Sequence, residues 1–248
     1  MGMRKHGMFE IIENRALTSD IFLMRMAGDT GACKAPGQFI NILLDGVYLR
    51  RPISVCDYQE GEITIIYRVV GKGTALLGEM KPGGMLDALT GLGNGYSIPG
   101  EIKAPLIIGG GVGIPPLYGL AKALLRKGLK PVAALGFANS GDIFFLKEFE
   151  RLGCRLILAT DDGSAGFCGY ITDAVLADGA QYDYVYSCGP KPMLHAVFDM
   201  ARTDGQFSFE ERMGCGFGAC MGCTCNTKHG PKRICADGPV FLKEEIVW

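Results

Sequence analysis

The apolar positions of this chain follow two different rhythms. From residue 7 to about 100 they come in short runs, solid or alternating, as in Ile21–Met24, Gln38–Ile42 and Glu62–Tyr67, separated by Gly, Pro and Asp turns. Short runs with frequent turns predict a small antiparallel barrel or sandwich. One helix is expected within it, from Gly73 to Met80, ended by Lys81-Pro82-Gly83. From about Ala104 the rhythm changes. Buried strand patterns at 105–108, 131–135, 155–159 and 184–187 alternate with helical patterns at 115–126, 142–152, 172–178 and 191–202. That alternation predicts a parallel, doubly wound sheet. Phe207-Ser208-Phe209 reads as a last sheet strand and Val240–Trp248 as a closing strand or hairpin. Between them, 213–238 is rich in Gly and Cys and nearly empty of apolar core positions. The expected fold class is a β barrel (1–101), a Rossmann-like α/β domain (102–206) and a C-terminal cysteine module (207–248).

Composition removes several function classes. The chain has 248 residues, 48% of them hydrophobic, enough for one large domain or two ordinary ones with real cores. Its 25 basic and 26 acidic side chains leave a net charge of −1, so electrostatics argue for neither nucleic acid nor anionic membrane as a partner. No apolar run approaches the roughly 18 residues that span a bilayer. Met1–Phe9 carries basic residues with no apolar signal core behind it, and the reading is a cytoplasmic chain. Of ten cysteines, five crowd into 215–235, which in a reducing compartment points to metal rather than disulfides.

From Cys215 the sequence reads C-G-F-G-A-C-M-G-C-T-C, with a further cysteine at 235. Cys215, Cys220 and Cys223 fall in C-x4-C-x2-C spacing followed by the distant Cys235, the plant-type [2Fe–2S] pattern. Gly214, Gly216, Gly218 and Gly222 permit the close wrapping that brings thiolates and backbone N–H groups onto one centre. A structural zinc site is the rival, but zinc ribbons pair two C-x2-C knuckles and this segment has one. Cys225 is a fifth candidate that the template leaves outside.

A second chemical signal is the glycine loop Gly109-Gly110-Gly111-Val112-Gly113, between a buried strand and a helix opening on Pro115-Pro116. A helix N-terminus reached through glycines suits a dinucleotide pyrophosphate, although Ile114 takes the place of the third fingerprint glycine; a plain structural turn is the alternative. Cys188-Gly189-Pro190 is expected on the same carboxyl edge of the sheet. Asp161 and Asp162, ending the third strand, could take ribose hydroxyls and favour NAD over NADP, or form an Asp-Gly turn. His6, His195 and His229 stand alone and suggest no catalytic pair.

Barrel followed by nucleotide sheet resembles the ferredoxin–NADP reductase superfamily. Arg51-Pro52-Ile53-Ser54 is similar to its flavin motif Arg-x-Tyr-Ser/Thr, with Ile53 where an aromatic is common. Ile66-Tyr67-Arg68 and Gly71-Lys72-Gly73-Thr74 look like the next strand and the phosphate-binding helix start. The appended cysteine module narrows the resemblance to the electron-transfer subunits of bacterial NAD-dependent dihydroorotate dehydrogenase, carried also by Pro36-Gly37-Gln38-Phe39. Gly91-Leu92-Gly93-Asn94-Gly95 departs from the Gly-Pro-Leu-Gly turn that family suggests. The resemblance implies FAD on Arg51, Pro52, Ile53, Ser54, Ile66, Tyr67, Arg68, Gly73 and Thr74. It implies NAD on Gly109–Gly113, Asp161, Asp162 and Cys188–Pro190, and the cluster on Cys215, Cys220, Cys223 and Cys235. It further implies an FMN-containing catalytic partner, two of each chain in a heterotetramer, and a place in pyrimidine biosynthesis. A homologous flavin/iron–sulfur subunit of a sulfhydrogenase or of an NADH-dependent ferredoxin:NADP oxidoreductase shares these features. A non-catalytic redox sensor is the alternative of another class.

Overall fold

The computed structural model describes residues 4–248. Six strands close an antiparallel barrel: β1 (Lys5–Ala16), β2 (Ile21–Ala27), β3 (Phe39–Leu43), β4 (Arg51–Gln59), β5 (Glu62–Arg68) and β6 (Met85–Leu92), in the order β1-β2-β5-β4-β3-β6. Alternation drives the closure. Phe9, Ile11, Met24, Met26, Ile40, Ile42, Ile63 and Ile65 point inward and are fully buried, while their neighbours face out. Helix α1 (Lys72–Glu79) plugs one end. Asn14 Nδ2 secures its C-terminal end, donating to the Leu77 and Met80 carbonyls at 2.9 Å each.

The second domain alternates β7 (Pro105–Gly110), α2 (Ile114–Arg126), β8 (Val132–Phe137), α3 (Leu146–Leu152), β9 (Arg155–Thr160), β10 (Phe167–Cys168), α4 (Ile171–Asp178), β11 (Tyr184–Cys188), α5 (Lys191–Met200) and β12 (Gly205–Ser208). The sheet order is β10-β9-β8-β7-β11-β12, all parallel, with β15 (Val240–Leu242) added antiparallel at the edge. The order reverses between β7 and β11, and ligands of open α/β sheets bind in the crevice at such a point. In β7, Leu106, Ile107 and Ile108 are all fully buried, as expected of a central strand covered on both faces.

The helix expected over 142–152 begins only at Leu146. Asn139 Oδ1 caps a short turn at 140–142, and Phe145 adopts φ 64°, which breaks the helical path. Domain limits are also less sharp than the three composition blocks suggest. β12 runs across the 206 boundary, and the C-terminal β15 pairs with it through Phe207–Phe241. The cysteine segment is thus an excursion from the sheet that returns to it. Within that excursion lie a hairpin, β13 (Thr224–Thr227) and β14 (Gly230–Arg233), and the short α6 (Ile234–Asp237).

Candidate functional site

The loop 214–222 wraps around the sulfur of Cys215, which accepts N–H groups from Phe217, Ala219 and Cys220 at 3.5, 3.2 and 3.5 Å. Gly216 and Gly218 make the wrapping possible, with φ of 76° and 92° in the left-handed region. Arg233 locks the loop from below. Its guanidinium donates to the Gly218 carbonyl at 2.7 Å and is held by Asp237 at 3.0 Å. Burial works against ionisation of Cys215, but the three N–H groups outweigh it and hold the thiol down at about 6. Cys235 shows the opposite case, pushed up to about 12 by burial and by the neighbouring Cys223.

Cys223 and Cys235 are buried, Cys215 is half-buried and Cys220 is exposed. Cys215 neighbours Cys220, and Cys223 neighbours Cys235, whose N–H donates to the Cys223 sulfur at 3.4 Å. Among the described residues, no three His, Cys, Asp or Glu side chains converge in the geometry of one bound ion. Two thiol pairs are the kind of donor set that two irons would take, and a nest of N–H groups suits their sulfur charge. Cys225 faces elsewhere, into a cavity it shares with Phe209, Phe241 and Trp248.

At the crevice of the sheet the glycines divide the work. Side chains on Gly109 or Gly113 would collide with Ile114 and with the Cys188 carbonyl respectively, so these two let α2 pack directly on β7 and β11. Gly110 and Gly111 line a cleft of roughly 530 Å³ with Arg68, Asp161, Tyr170 and Pro190. The two aspartates separate. Asp161 lines the cleft, whereas Asp162 caps a turn, accepting from the Ser164 N–H at 2.9 Å and the Ser164 hydroxyl at 2.6 Å, which lower its pKa. Cys188, at the end of β11, is buried and pushed up to about 12 by burial and by Glu210, so it is a neutral thiol.

On the barrel, Arg51 lays its guanidinium over Gly73, where any side chain would strike it. Thr74 Oγ1 accepts from the N–H groups of Val70 and Gly71 at 2.9 and 3.2 Å, folding the chain into the start of α1. An arginine over a bare helix N-terminus fits a pyrophosphate. Ile53 and Ser54 are half-buried along the same strand. Ile66 and Tyr67 are buried. The Tyr67 hydroxyl donates to Asn14 Oδ1 at 3.0 Å, and burial pushes it to about 12, which makes it a barrel prop. Arg68 pairs with Asp20 at 3.1 Å and borders the nucleotide cleft.

Other contributors carry no motif. Tyr96 and Asn41 are isolated polar residues whose partners lie far along the chain. Tyr96 donates to the Ser187 carbonyl at 3.0 Å, and Asn41 to that of Cys215 at 3.1 Å. Asn94 joins barrel to cysteine segment, donating to the Val240 carbonyl at 2.7 Å and accepting its N–H at 3.1 Å. The departure at 91–95 is therefore a seam, with Gly93 against Pro239.

A barrel with a phosphate cradle, a nucleotide crevice and a four-thiol module define a flavin- and nicotinamide-type oxidoreductase that carries a metal–sulfur centre. Residues 107–199 match the oxidoreductase NAD-binding domain, and 210–247 match the iron–sulfur cluster binding domain of dihydroorotate dehydrogenase B. The dihydroorotate dehydrogenase B (NAD(+)) electron transfer subunit of Geobacillus kaustophilus is 44% identical, over 86% of this chain and 87% of its own. That of Fusobacterium nucleatum is 40% identical over 94% and 95%. The solved structure of an NADH-dependent reduced ferredoxin–NADP oxidoreductase superposes with TM-score 0.89 at 31% identity, covering 97% of this chain and 90% of that one. The cytochrome b5 reductase domain of Ulva prolifera nitrate reductase shares the fold, with TM-score 0.66 at 19% identity over 85% and 96% of the two chains. The chain belongs to the family of dihydroorotate dehydrogenase B (NAD(+)) electron transfer subunits. No helix among the described residues is long and apolar enough to cross a membrane.

Proposed function

We propose that this chain is the electron-transfer subunit of an NAD-dependent dihydroorotate dehydrogenase, taking electrons from an FMN-containing catalytic partner and delivering them to NAD+. Two copies of each chain make the working assembly. The observation that carries the reading is the seating of the Cys215 loop on β3, the strand paired with the flavin motif of β4. When bound, a [2Fe–2S] centre carries single electrons, and FAD converts between single electrons and hydride.

In this reading Cys215, Cys220, Cys223 and Cys235 hold the cluster, and the Phe217, Ala219 and Cys220 N–H groups steady its sulfur charge. Arg51, Gly73 and Thr74 form the pyrophosphate cradle of FAD, with Pro52, Ile53 and Ser54 along the ring. Tyr67 braces that strand from inside the barrel, and Ile66, on the opposite face of β5, packs into the core shared with the nucleotide domain. Gly110, Gly111 and Pro190 take the pyrophosphate of NAD, while Asp161 faces its ribose. Gly109 and Gly113 let α2 pack on β7 and β11, Cys188 ends β11, and Val112 and Gly189 complete the two loops. Asp162 holds the turn behind Asp161. Arg68 stands where the two nucleotides approach each other. No base for dihydroorotate is required on this chain.

Affinity purification of the native complex tests the proposal. FMN, FAD and two irons in fixed ratio, with dihydroorotate:NAD+ activity, is the expected result. A second reading, a subunit of an NADH-dependent ferredoxin–NADP oxidoreductase, is favoured by the superposition at TM-score 0.89. Copurification with a glutamate-synthase-like partner in place of an FMN barrel would overturn the first reading in favour of the second.

A further inference from the structure

Asn41 sits on β3 at 1% exposure, a polar side chain enclosed between barrel and cysteine loop. Its Nδ2 donates to the carbonyl of Cys215 at 3.1 Å, and the loop presses so closely that a Cβ on Gly216 would strike the same amide. Its backbone is fixed as well, for Arg50 donates to the Asn41 carbonyl at 3.2 Å. In the ladder, Asn41 stands opposite Pro52 and Phe39 opposite Ser54. Opposed residues, and residues two apart on a strand, share a face of the sheet. Asn41 thus lies on the face of β3–β4 that carries Pro52 and Ser54, and it touches the residue whose sulfur the loop encloses. Its Oδ1 is buried without any partner. Burying an unpaired acceptor works against folding, so core packing alone gives no reason for an amide at this position.

Resting on the functional reading above, we infer that Asn41 is a positioning residue for electron transfer between cluster and flavin. It ties the backbone of a cluster ligand to the strand that bears the flavin motif, and so fixes their separation and their hydrogen-bonded coupling. The donated N–H also places partial positive charge beside an anionic centre, which favours the reduced cluster.

The test uses the complex purified anaerobically with its partner, comparing wild type with Asn41→Leu, which keeps the volume and removes the amide. In samples matched for iron, sulfide and FAD, NADH bleaches the flavin at the wild-type rate. Cluster reduction, followed by freeze-quench EPR, slows by about tenfold or more, since misplacing reacting groups by roughly 1 Å costs up to about a hundredfold. The cluster's midpoint potential falls and its EPR g-values shift. Wild-type cluster kinetics, potential and g-values in the loaded variant would overturn the inference. If Asn41→Leu holds FAD but no cluster, Asn41→Gln decides: partial recovery of the cluster supports the amide tie, and equal loss overturns it. Loss of FAD as well overturns it too, by showing that Asn41 serves barrel folding. A wild-type complex without the EPR signal of a reduced two-iron cluster defeats the functional reading itself, a result separable from all of these.

Discussion

The nucleotide sheet and the cysteine segment keep their shapes by different means. In the sheet, Leu106, Ile107, Ile108, Ala133, Ala134 and Leu135 are fully buried, and complete burial contributes roughly 1.5–3 kcal/mol for each large aliphatic side chain. From 214 to 238 the buried hydrophobic residues are Cys223, Ile234 and Cys235, and two of these three are thiols assigned to the cluster. What holds the segment is polar: N–H groups on the Cys215 sulfur, the Arg233–Asp237 pair, and the ties from Asn41 and Asn94 of the barrel to the Cys215, Asp237 and Gly238 carbonyls. A scaffold of oil is indifferent to ligand, whereas a scaffold of donors around thiolates is completed by the metal charge it surrounds.

The largest effect should follow from removing that charge. Cys223→Ser, or iron chelation of the wild type, is expected to open the loop to proteolysis between 212 and 238 and to abolish dihydroorotate:NAD+ electron transfer. NADH reduction of the flavin and the melting of barrel and sheet should stay near wild type. Mapping of protease cuts by mass spectrometry checks this, and a collapse of the whole chain on metal loss would erase the contrast between the regions.

The converse experiment injures the sheet and spares the cluster. A Cβ at Gly113 must displace the Cys188 carbonyl, which is backbone and cannot yield cheaply. Overpacking of this kind costs about 1–3 kcal/mol, so Gly113→Ala should lower Tm by a few to about ten degrees. It should also raise the KM for NADH while the cluster's EPR spectrum stays unchanged. Calorimetry and steady-state kinetics on one preparation measure both.

These two regions also differ in how far their sequences announce them. Period-two and strand–helix alternation is physical information about burial, so barrel and sheet are legible with small errors at the ends. Phe145 at φ 64° is the exception, because only tertiary packing makes that conformation tolerable. Cysteine spacing is equally legible, since a loop of fixed length must close on a centre of fixed size. The seam is not: Asn41, Asn94 and Tyr96 find partners up to 174 residues away, and no local period encodes such a contact. Nor does the sequence separate Asp161 from Asp162, which are adjacent and chemically identical.

That last pair gives a finer comparison inside the sheet. Asp161 faces the cleft and Asp162 is spent on Ser164. Asp161→Ser should therefore relax discrimination against NADPH by about tenfold, the removal of one like-charge repulsion from a 2′-phosphate. Asp162→Ser should leave the NADH/NADPH ratio of kcat/KM unchanged. Equal shifts in the two variants would mean that the turn, not the charge, sets specificity.

The smallest effect concerns Glu210, where the chain leaves β12 for the cysteine segment. Desolvation raises its pKa from the ordinary carboxylate value, although solvent still reaches the side chain. A raised folded-state pKa means that the folded protein holds this proton more tightly than the unfolded chain does. Its contribution to stability is full below the unfolded value of about 4.3 and is lost as pH rises through the folded value. Glu210→Gln, uncharged throughout, should match wild type at low pH and exceed it at neutral pH by less than about 1 kcal/mol, after discounting for solvent screening. Thermal melts of both proteins across that range measure the gap, and a gap independent of pH would remove the carboxylate from the account. Glu210 and Cys215 are five residues apart yet shifted in opposite senses, one toward its neutral form and one toward its anion. The difference is the N–H groups: the sheet side of the seam offers Glu210 partial desolvation without a donor, and the cysteine side offers Cys215 three donors.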